Sequence, residues 1–159
     1  MRIGVVSDTH GVLDNLEAAI SRLGKLDGWI HLGDVAGDAK QIAKRTGLPL
    51  QSVRGNCDFS LEAPAELIYQ PQPGIRLLVC HGHRYGVKSG LQRLQYKAQE
   101  EGCCGALFGH THNPAMEKQG ELLLLNPGSL SLPHAGKRPS CAVLEILGGN
   151  RLQAEIILL

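Results

Sequence analysis

Residues 2–10 read R-I-G-V-V-S-D-T-H, and this stretch carries the pattern on which the fold prediction depends. A short apolar run rich in β-branched residues predicts a strand, and here it leads directly into Asp8-Thr9-His10. Ligands of α/β proteins bind outside the carboxyl ends of the strands. The stretch therefore predicts a strand that brings a carboxylate and an imidazole to one edge of a sheet.

The same sequence of an apolar run followed by polar residues occurs at four further places. The runs 29–32, 50–53, 77–80 and 106–108 lead into Gly33-Asp34, Gly55-Asn56-Cys57-Asp58, His81-Gly82-His83 and Gly109-His110-Thr111-His112, respectively. Parallel strands end at the same edge of a sheet, so we expect the five polar groups to converge on one site. In an extended segment, His110 and His112 project to the same side and can face that site.

The segments around these runs predict helices in the first half of the chain and strands alone in the second. Asp14 is expected to cap a first helix, with Glu17 completing a capping box and Gly24 ending it. Further helices are expected at 38–45 and 89–101. Strands are expected at 66–70 and 75–80, which form a hairpin, and at 115–118, 121–125, 141–147 and 152–158. This order predicts an α/β fold of two packed sheets with helices on the outside, in a single domain of residues 1–159.

Composition limits the partners of the protein. The 159 residues carry a formal net charge of only +1, which provides no basic surface for a nucleic-acid polymer or an anionic membrane. No apolar run approaches the roughly 20 residues of a membrane span, and residues 1–6 are too short for a signal peptide. The five cysteines are odd in number and form no C-x-x-C pair, so we expect reduced thiols and a cytoplasmic protein.

Seven side chains of the five polar groups are candidate metal ligands with oxygen or imidazole donors: Asp8, His10, Asp34, Asn56, His81, His110 and His112. Such donors suit Mn²⁺, Fe or Zn²⁺, and the lack of paired cysteines argues against a thiolate site. A single catalytic zinc ion normally has three protein ligands. Seven candidates therefore predict two ions, with one carboxylate bridging them.

The ordered motifs D-x-H, G-D, G-N-C-D, H-G-H and G-H-T-H resemble those of the calcineurin-like metallophosphoesterase superfamily, and most closely its small bacterial and archaeal phosphodiesterases (the YfcE-like subgroup). The resemblance extends from Asp8 to the turn Asn126-Pro127-Gly128-Ser129, which it places beside the site. It implies a four-layer α-β-β-α sandwich of two mixed sheets flanked by helices. It also implies one divalent ion on Asp8, His10, Asp34 and His112, and a second on Asp34, Asn56, His81 and His110, with Asp34 bridging.

This resemblance implies a phosphodiesterase that hydrolyses a small substrate with a metal-activated water. Mn²⁺ is the expected ion, and Fe, Ni²⁺ and Zn²⁺ are alternatives. The candidate catalytic residues are Asn56, Cys57, Asp58 and His83. Much of the superfamily has histidine at the position of Cys57, where it is thought to assist the leaving group. Cys57 and His83 are therefore both candidates for the leaving-group acid, and Asp58 either pairs with a ligand histidine or caps a turn.

Two other functions compete with this interpretation. A phosphomonoesterase is the alternative within the enzyme class. A binding protein is the alternative from another class, since the same fold serves as a scaffold subunit with an impaired metal site in the eukaryotic retromer complex. The ligand set is complete in this sequence, which favours catalysis. The resemblance is compatible with a homodimer or a homotetramer. His31, within the second strand, is expected to be a hydrogen-bonded core histidine, and His134 to be exposed.

Overall fold

The computed structural model describes residues 1–59, 62–148 and 151–159. The elements follow in the order β1 (Arg2–Val6), α1 (Leu16–Leu23), β2 (Gly28–His31), α2 (Gly37–Thr46), β3 (Leu50–Ser52), β4 (Glu66–Gln72), β5 (Ile75–Cys80), a 3₁₀ turn (His83–Tyr85), α3 (Gln92–Glu100), β6 (Gly105–Leu107), β7 (Ala115–Gln119), β8 (Leu122–Asn126), β9 (Ser140–Leu147) and β10 (Arg151–Leu158). The predicted change from alternating helices and strands to strands alone is confirmed.

The strands form two five-stranded sheets with the orders β10-β9-β1-β2-β3 and β4-β5-β6-β8-β7. In the first sheet β1, β2 and β3 are parallel, β9 is antiparallel to β1, and β10 is antiparallel to β9. In the second sheet β5, β6 and β8 are parallel, and β4 and β7 are antiparallel edges. Both sheets are therefore mixed, as the resemblance implied. The parallel strands are the ones that lead into the polar groups.

Alternating side chains place the main core between the two sheets. On β5, Leu77 and Val79 point into the space between the sheets. Leu78 and Cys80 point to the opposite face, where Leu94 of α3 packs on them. The second sheet thus buries one face against the first sheet and the other against a helix.

The first sheet is covered in the same way by α1 and α2. Trp29 of β2 and Val143 of β9 pack on its outer face with Leu16 and Leu23 of α1 and Ile42 of α2. The layers follow in the order helices, sheet, sheet, helix, which is the predicted α-β-β-α sandwich. None of the helices in the described part of the chain has the length and apolar character needed to cross a bilayer.

The predicted start of α1 was wrong. The helix begins at Leu16 with Asn15 in the cap position, and no side chain caps it. The Asn15 amide instead donates a hydrogen bond to the Leu130 carbonyl at 2.8 Å. The Asn15 side chain therefore makes a tertiary contact instead of capping the helix, and Asp14 is exposed. Gly24 does end the helix, with a φ of 67°.

The predicted start of α3 was also too early. The helix begins at Gln92 rather than Ser89. Consecutive turns occupy the preceding segment, in which Tyr85 N–H donates to the Gly82 carbonyl and Ser89 N–H donates to the Gly86 carbonyl. Gly90 has a φ of 153°, which a helix does not accommodate. The polar residues after β5 therefore lie in a compact turn and not on a helix.

The β4–β5 hairpin was predicted, but β4 extends two residues further, to Gln72. Pairing is irregular between Tyr69 and Gln72, where Pro71 lies. Proline has no N–H to donate and is tolerated at edge strands and bulges. Because β4 is the edge of its sheet, the strand continues past the proline.

We expect Gly4→Ala to lower the free energy of unfolding by about 1–3 kcal/mol, through overpacking of a full core. A Cβ at Gly4 would lie 2.5 Å from the Trp29 ring and 2.8 Å from Leu26 Cδ1. Urea unfolding measures this loss. Gly37→Ala is the control, since its Cβ would meet nothing within 4 Å and its φ is negative. Equal unfolding midpoints for the two variants would contradict the packing described for β1.

Candidate metal centre

The five polar groups meet at the edge where the parallel strands of both sheets end. Within the first sheet, Asp8 N–H donates to the Gly33 carbonyl at 3.0 Å. Within the second, Gly109 N–H donates to the His81 carbonyl at 3.0 Å. Across the sheets, His110 N–H donates to Asp8 Oδ2 at 3.1 Å. These bonds connect loops that are up to about 100 residues apart in the chain.

Two motif glycines allow this close approach. A Cβ at Gly55 would collide with the carboxylate of Asp34, and a Cβ at Gly109 would collide with the Ser7 hydroxyl. Each of these glycines directly precedes a candidate ligand, Asn56 or His110. They are required because the neighbouring backbone and the carboxylates occupy the space of a side chain.

Backbone strain is concentrated at the candidate ligands. In the described part of the chain, six residues other than glycine have a positive φ: Asp8, His10, Asp34, Val35, His110 and His112. Five of these six are candidate ligands. Such conformations cost about 1–3 kcal/mol each and persist where the surrounding structure imposes them. The fold thus holds these side chains in positions that the local sequence would not adopt alone.

Four donor groups form a first cluster: Asp8, His10, Asp34 and His112. Their ligand atoms all lie within 4.8 Å of one another. His112 Nε2 is 3.2 Å from Asp8 Oδ1, and His10 Nε2 is 3.3 Å from His112 Nε2. His10 Nε2 lies 3.8 Å from Asp34 Oδ2. This spacing is compatible with ligands that surround a single ion.

A second cluster consists of Asp34, His81 and His110. His81 Nε2 is 3.4 Å from Asp34 Oδ1, and the His81 and His110 rings are 5.1 Å apart between centroids. Asp34 therefore belongs to both clusters, with Oδ2 towards His10 and Oδ1 towards His81. A carboxylate with one oxygen in each cluster has the arrangement of a bridging ligand.

In two of the imidazoles the second ring nitrogen makes a hydrogen bond to a backbone carbonyl, and this bond fixes the orientation of the ring. His81 Nδ1 lies 2.8 Å from the Leu32 carbonyl, and His112 Nδ1 lies 2.5 Å from the Leu132 carbonyl. A carbonyl oxygen only accepts, so Nδ1 carries the proton in both rings. In the neutral ring Nε2 then presents its lone pair towards the carboxylates. This is the arrangement of a metal-ligating histidine, in which the other ring nitrogen donates to a carbonyl.

Asp8 and Asp34 are buried and yet ionised. Burial by itself would raise the pKa of Asp34, but the hydrogen bond and charge of His81 and the amide of Cys57 outweigh it and lower the pKa. For Asp8, burial is likewise outweighed, by His112, His81 and Ser7, so its pKa is also lowered. Both carboxylates are therefore in the deprotonated form that metal binding requires.

The imidazole of His110 is held neutral. Burial, followed by the charges of His81 and Lys88, lowers its pKa to about 4. A neutral imidazole offers a lone pair, and a metal ligand needs this form.

Unpaired buried atoms mark the place of a cation. In the described part of the chain, four buried side-chain nitrogen or oxygen atoms have no hydrogen-bond partner, and three of them are Asp8 Oδ1, His81 Nε2 and His83 Nδ1. Leaving such groups unpaired costs a few kcal/mol each. One divalent cation in each cluster would satisfy Asp8 Oδ1 and His81 Nε2, respectively, so these donors fit metal ions.

The four candidate catalytic residues have different surroundings. Asn56 is exposed, and its amide donates to Cys57 Sγ at 3.3 Å, while Cys57 N–H donates to Asp34 Oδ1 at 2.9 Å. Asp58 accepts from the N–H groups of Ala36 at 2.6 Å and Gly55 at 2.7 Å, so its carboxylate ties two loops together and does not pair with a histidine. The His83 ring lies 5.4 Å from that of His81 and 6.0 Å from that of His110.

Three serines outside the set of candidate ligands also support the site. Ser7 Oγ donates to Asp8 Oδ2 at 2.6 Å, Ser129 Oγ to the Asp8 carbonyl at 2.8 Å, and Ser131 Oγ to the Thr9 carbonyl at 2.7 Å. Ser129 ends the Asn-Pro-Gly-Ser turn, which lies beside the site as the resemblance implied. The other serines follow no motif that would have identified them.

His31 is fully buried and hydrogen-bonded, as expected, and it connects two ligand loops. Its Nδ1 accepts from Gly33 N–H at 3.2 Å, so Nε2 carries the proton and donates to Thr9 Oγ1 at 3.0 Å. Thr9 Oγ1 in turn donates to the Asp34 carbonyl at 3.3 Å. The chain of bonds fixes the D-x-H loop against the G-D loop. His134 is exposed, also as expected.

An α-β-β-α sandwich whose two sheets present carboxylates and imidazoles at one edge defines the protein as a metallophosphoesterase. The family profile described as "calcineurin-like phosphoesterase superfamily domain" matches residues 1–149, and the chain belongs to that family. It is a hydrolase acting on phosphoester bonds.

Individual relatives agree with this assignment. The probable metallophosphoesterase YsnB of Bacillus subtilis is 33% identical over 147 residues, which cover 92% of this chain and 85% of YsnB. The phosphodiesterase YfcE of Escherichia coli is 28% identical over 170 residues, covering 91% and 88% of the two chains. Among solved structures, a predicted phosphoesterase from Streptococcus pneumoniae superposes with a TM-score of 0.81 at 30% identity, covering 99% of this chain and 88% of that one.

A zinc complex of Vps29 from Entamoeba histolytica has the same fold. It superposes with a TM-score of 0.79 at 17% identity, and the match covers 99% of each chain. At this identity the likeness shows the fold alone.

The buried His31 predicts a loss of stability in mild acid. Burial lowers its pKa to about 4, against the opposing charges of Asp38 and Asp8. Below the unfolded value of about 6.5, the unfolded state binds the proton that the folded state excludes, so stability falls as pH falls. We expect chelated wild type to lose about 2 kcal/mol more than His31→Gln between about pH 7.5 and about pH 5 in urea unfolding. His134→Gln, at an exposed histidine, is the control and keeps the wild-type slope. Equal slopes for wild type and His31→Gln would show that His31 is not buried neutral.

Proposed function

We propose that the chain is a phosphodiesterase that hydrolyses a small phosphodiester with the help of two divalent cations. The observation that carries the proposal is that Asp34 belongs to both donor clusters, with one oxygen in each. Two-metal hydrolases use such a shared ligand to hold two ions a few ångströms apart. YfcE is named a phosphodiesterase, which favours a diester over a monoester as substrate.

The two clusters suggest which residues hold which ion. Asp8, His10, Asp34 and His112 would hold one, and Asp34, His81 and His110 would hold the other. Asn56 would complete the second set, since the adjacent Cys57 N–H contacts the bridging carboxylate. Mn²⁺ is the ion we propose, with Fe, Ni²⁺ and Zn²⁺ as alternatives, because oxygen and imidazole donors suit them all.

When bound, the two ions supply an acidified water and neutralise charge on the phosphoryl oxygens. The protein's own residues hold this arrangement in place. Asp34 and Asp8 remain ionised, and the Leu32 and Leu132 carbonyls aim His81 and His112. The backbone bonds between the loops keep the donors fixed, so little reorganisation is needed during the reaction.

Protonation state favours Cys57 over His83 as the leaving-group acid. Partial desolvation of the exposed Cys57 thiol, followed by the hydrogen bond and charge of Asp34, raises its pKa, so it holds its proton at neutral pH. Burial and the charge of His81 lower the pKa of His83, so its imidazole is largely neutral there. An acid must carry the proton that it donates. We therefore propose that Cys57 donates it, with Asp58 and Asn56 fixing its loop.

The two competing functions remain distinguishable. The complete donor set argues against a scaffold role of the kind considered from the sequence. A phosphomonoesterase would use the same ions, and only relative rates separate it from a diesterase. The proposed homodimer or homotetramer and the cytoplasmic location remain predictions.

Asp34→Asn tests the bridging role. We expect the bound ions, measured by elemental analysis after reconstitution with Mn²⁺, to fall from two per chain to one or none. We expect kcat/KM for bis(p-nitrophenyl) phosphate to fall by roughly 100-fold or more, since both the water and the phosphoryl oxygens lose their ions. Asp14→Asn, an exposed aspartate near α1, is the matched control. Full activity or full metal content in Asp34→Asn would overturn the proposal. A higher kcat/KM for p-nitrophenyl phosphate in wild type would replace diesterase by monoesterase.

Cys57→Ala tests the leaving-group acid. General acids contribute about 10²–10⁴-fold, and they matter most when the departing oxygen is strongly basic. We expect Cys57→Ala to slow hydrolysis of a phosphodiester whose leaving group is methoxide by about 100-fold or more. Hydrolysis of a p-nitrophenyl ester, whose leaving group needs little protonation, should change only a few fold. If the selective loss appears in His83→Ala instead, the assignment of the acid is wrong.

A further inference from the structure

An open cleft of about 890 Å³ adjoins the two clusters. His110 and His112 form part of its wall, so the cleft is continuous with the place where the phosphoryl group would be held. Pockets of roughly 300–1,000 Å³ accommodate small organic ligands. Because His110 and His112 line this cleft, it is the place where one substituent of a bound diester would lie.

The lining of the cleft has two chemical characters. Its apolar part comes from Val87, Leu91, Phe108 and Ala115. Its charged part consists of the ammonium groups of Lys88 and Lys137 and a single carboxylate, that of Glu117. The cleft thus has a carbon-rich wall for an organic group and an excess of cationic groups.

The two lysines come from different parts of the fold and are uncommitted to other residues. Lys88 follows the 3₁₀ turn after β5, and Lys137 lies between β8 and β9. In the part of the chain that the structure describes, the lysines in ion pairs are Lys40 and Lys97. Lys88 and Lys137 are both exposed in the cleft wall, and among the described residues no carboxylate lies within 4 Å of either ammonium group.

We propose that this cleft binds the second substituent of the substrate, and that this substituent carries an additional anionic group, a phosphate or a carboxylate, bound by Lys88 and Lys137. The proposal rests on the proposed phosphodiesterase function, because the phosphoryl group fixes the direction of the substituent. The net charge of the whole chain is only +1, so positive charge at this cleft is local. Local charge suits a small anion rather than a polymer.

The test uses three diesters with the same p-nitrophenyl leaving group. The other substituent is a short alkyl chain that ends in a carboxylate, a phosphate or a neutral carboxamide. We expect kcat/KM of wild type to be about 10-fold higher for an anionic substrate than for the carboxamide, since each exposed ion pair contributes modestly. The larger of the two anionic ratios identifies whether phosphate or carboxylate is the group bound.

For each variant we compare kcat/KM for the anionic substrate with kcat/KM for the neutral carboxamide. This anionic-to-neutral ratio cancels any general loss of activity. We expect the ratio to fall to within about 2-fold of one in the double variant Lys88→Met and Lys137→Met. Glu117→Gln should raise the ratio, because it removes the opposing carboxylate. Lys118→Met is the matched control: this exposed lysine of β7 lines a separate cleft, and its ratio should equal that of wild type.

Two results would overturn the proposal. One is a ratio near one in wild type, and the other is a ratio that persists in the double variant. Failure of the phosphodiesterase function is a separate result, namely no hydrolysis of any of the three diesters by protein that binds two ions. In that event, calorimetric binding of the matching methylphosphonates by the metal-loaded protein gives the same anionic-to-neutral ratio without catalysis. A ratio near one in that experiment overturns the proposal as well.

Discussion

The rest of the structure depends on the burial of two carboxylates where the sheets meet. Asp8 and Asp34 are 0% and 2% exposed, and both stay ionised. An ionised carboxylate away from water is tolerated only where it is paired and hydrogen-bonded. Asp8 obtains its partners from the opposite sheet, through His110 N–H and His112. The same contacts that solvate the carboxylate therefore fix the two sheets relative to each other at this edge.

The burial of the two carboxylates requires backbone conformations that the local sequence would not favour. Five candidate ligands adopt a positive φ, and Gly55 and Gly109 leave the space that the carboxylates need. Backbone carbonyls, backbone amides and serine hydroxyls supply most of the further partners. Strain of this kind is stable only because the sandwich beneath it is well packed, with its main core between the sheets. The packing of the core thus compensates for the backbone strain at the site.

The sequence predicted what depends on local pattern and order. The alternation of apolar and polar residues predicted the strands, and the ordered polar groups predicted the loops that converge at one edge, because each follows its strand directly. Helix starts were predicted poorly: Asn15 contacts Leu130, over 100 residues away, and the turns before Gln92 follow glycine conformations that the sequence does not specify. The strand order, which places β9 beside β1, is also a long-range property. Lys88 and Lys137 carried no motif, and only the fold brings them to one cleft.

The arrangement of the donors also explains why metal binding and folding should be coupled at this site. Within the described part of the chain, Asp8 Oδ1 and His81 Nε2 have no hydrogen-bond partner, and the two carboxylates raise the pKa of His81 and His112 despite burial. Protons on these rings then partly neutralise the carboxylates, and a metal ion must displace them. Any ligand that binds only the folded state stabilises it by mass action. Bound ions would therefore make the strained loops tolerable, because they would stabilise the folded state in which the strain exists.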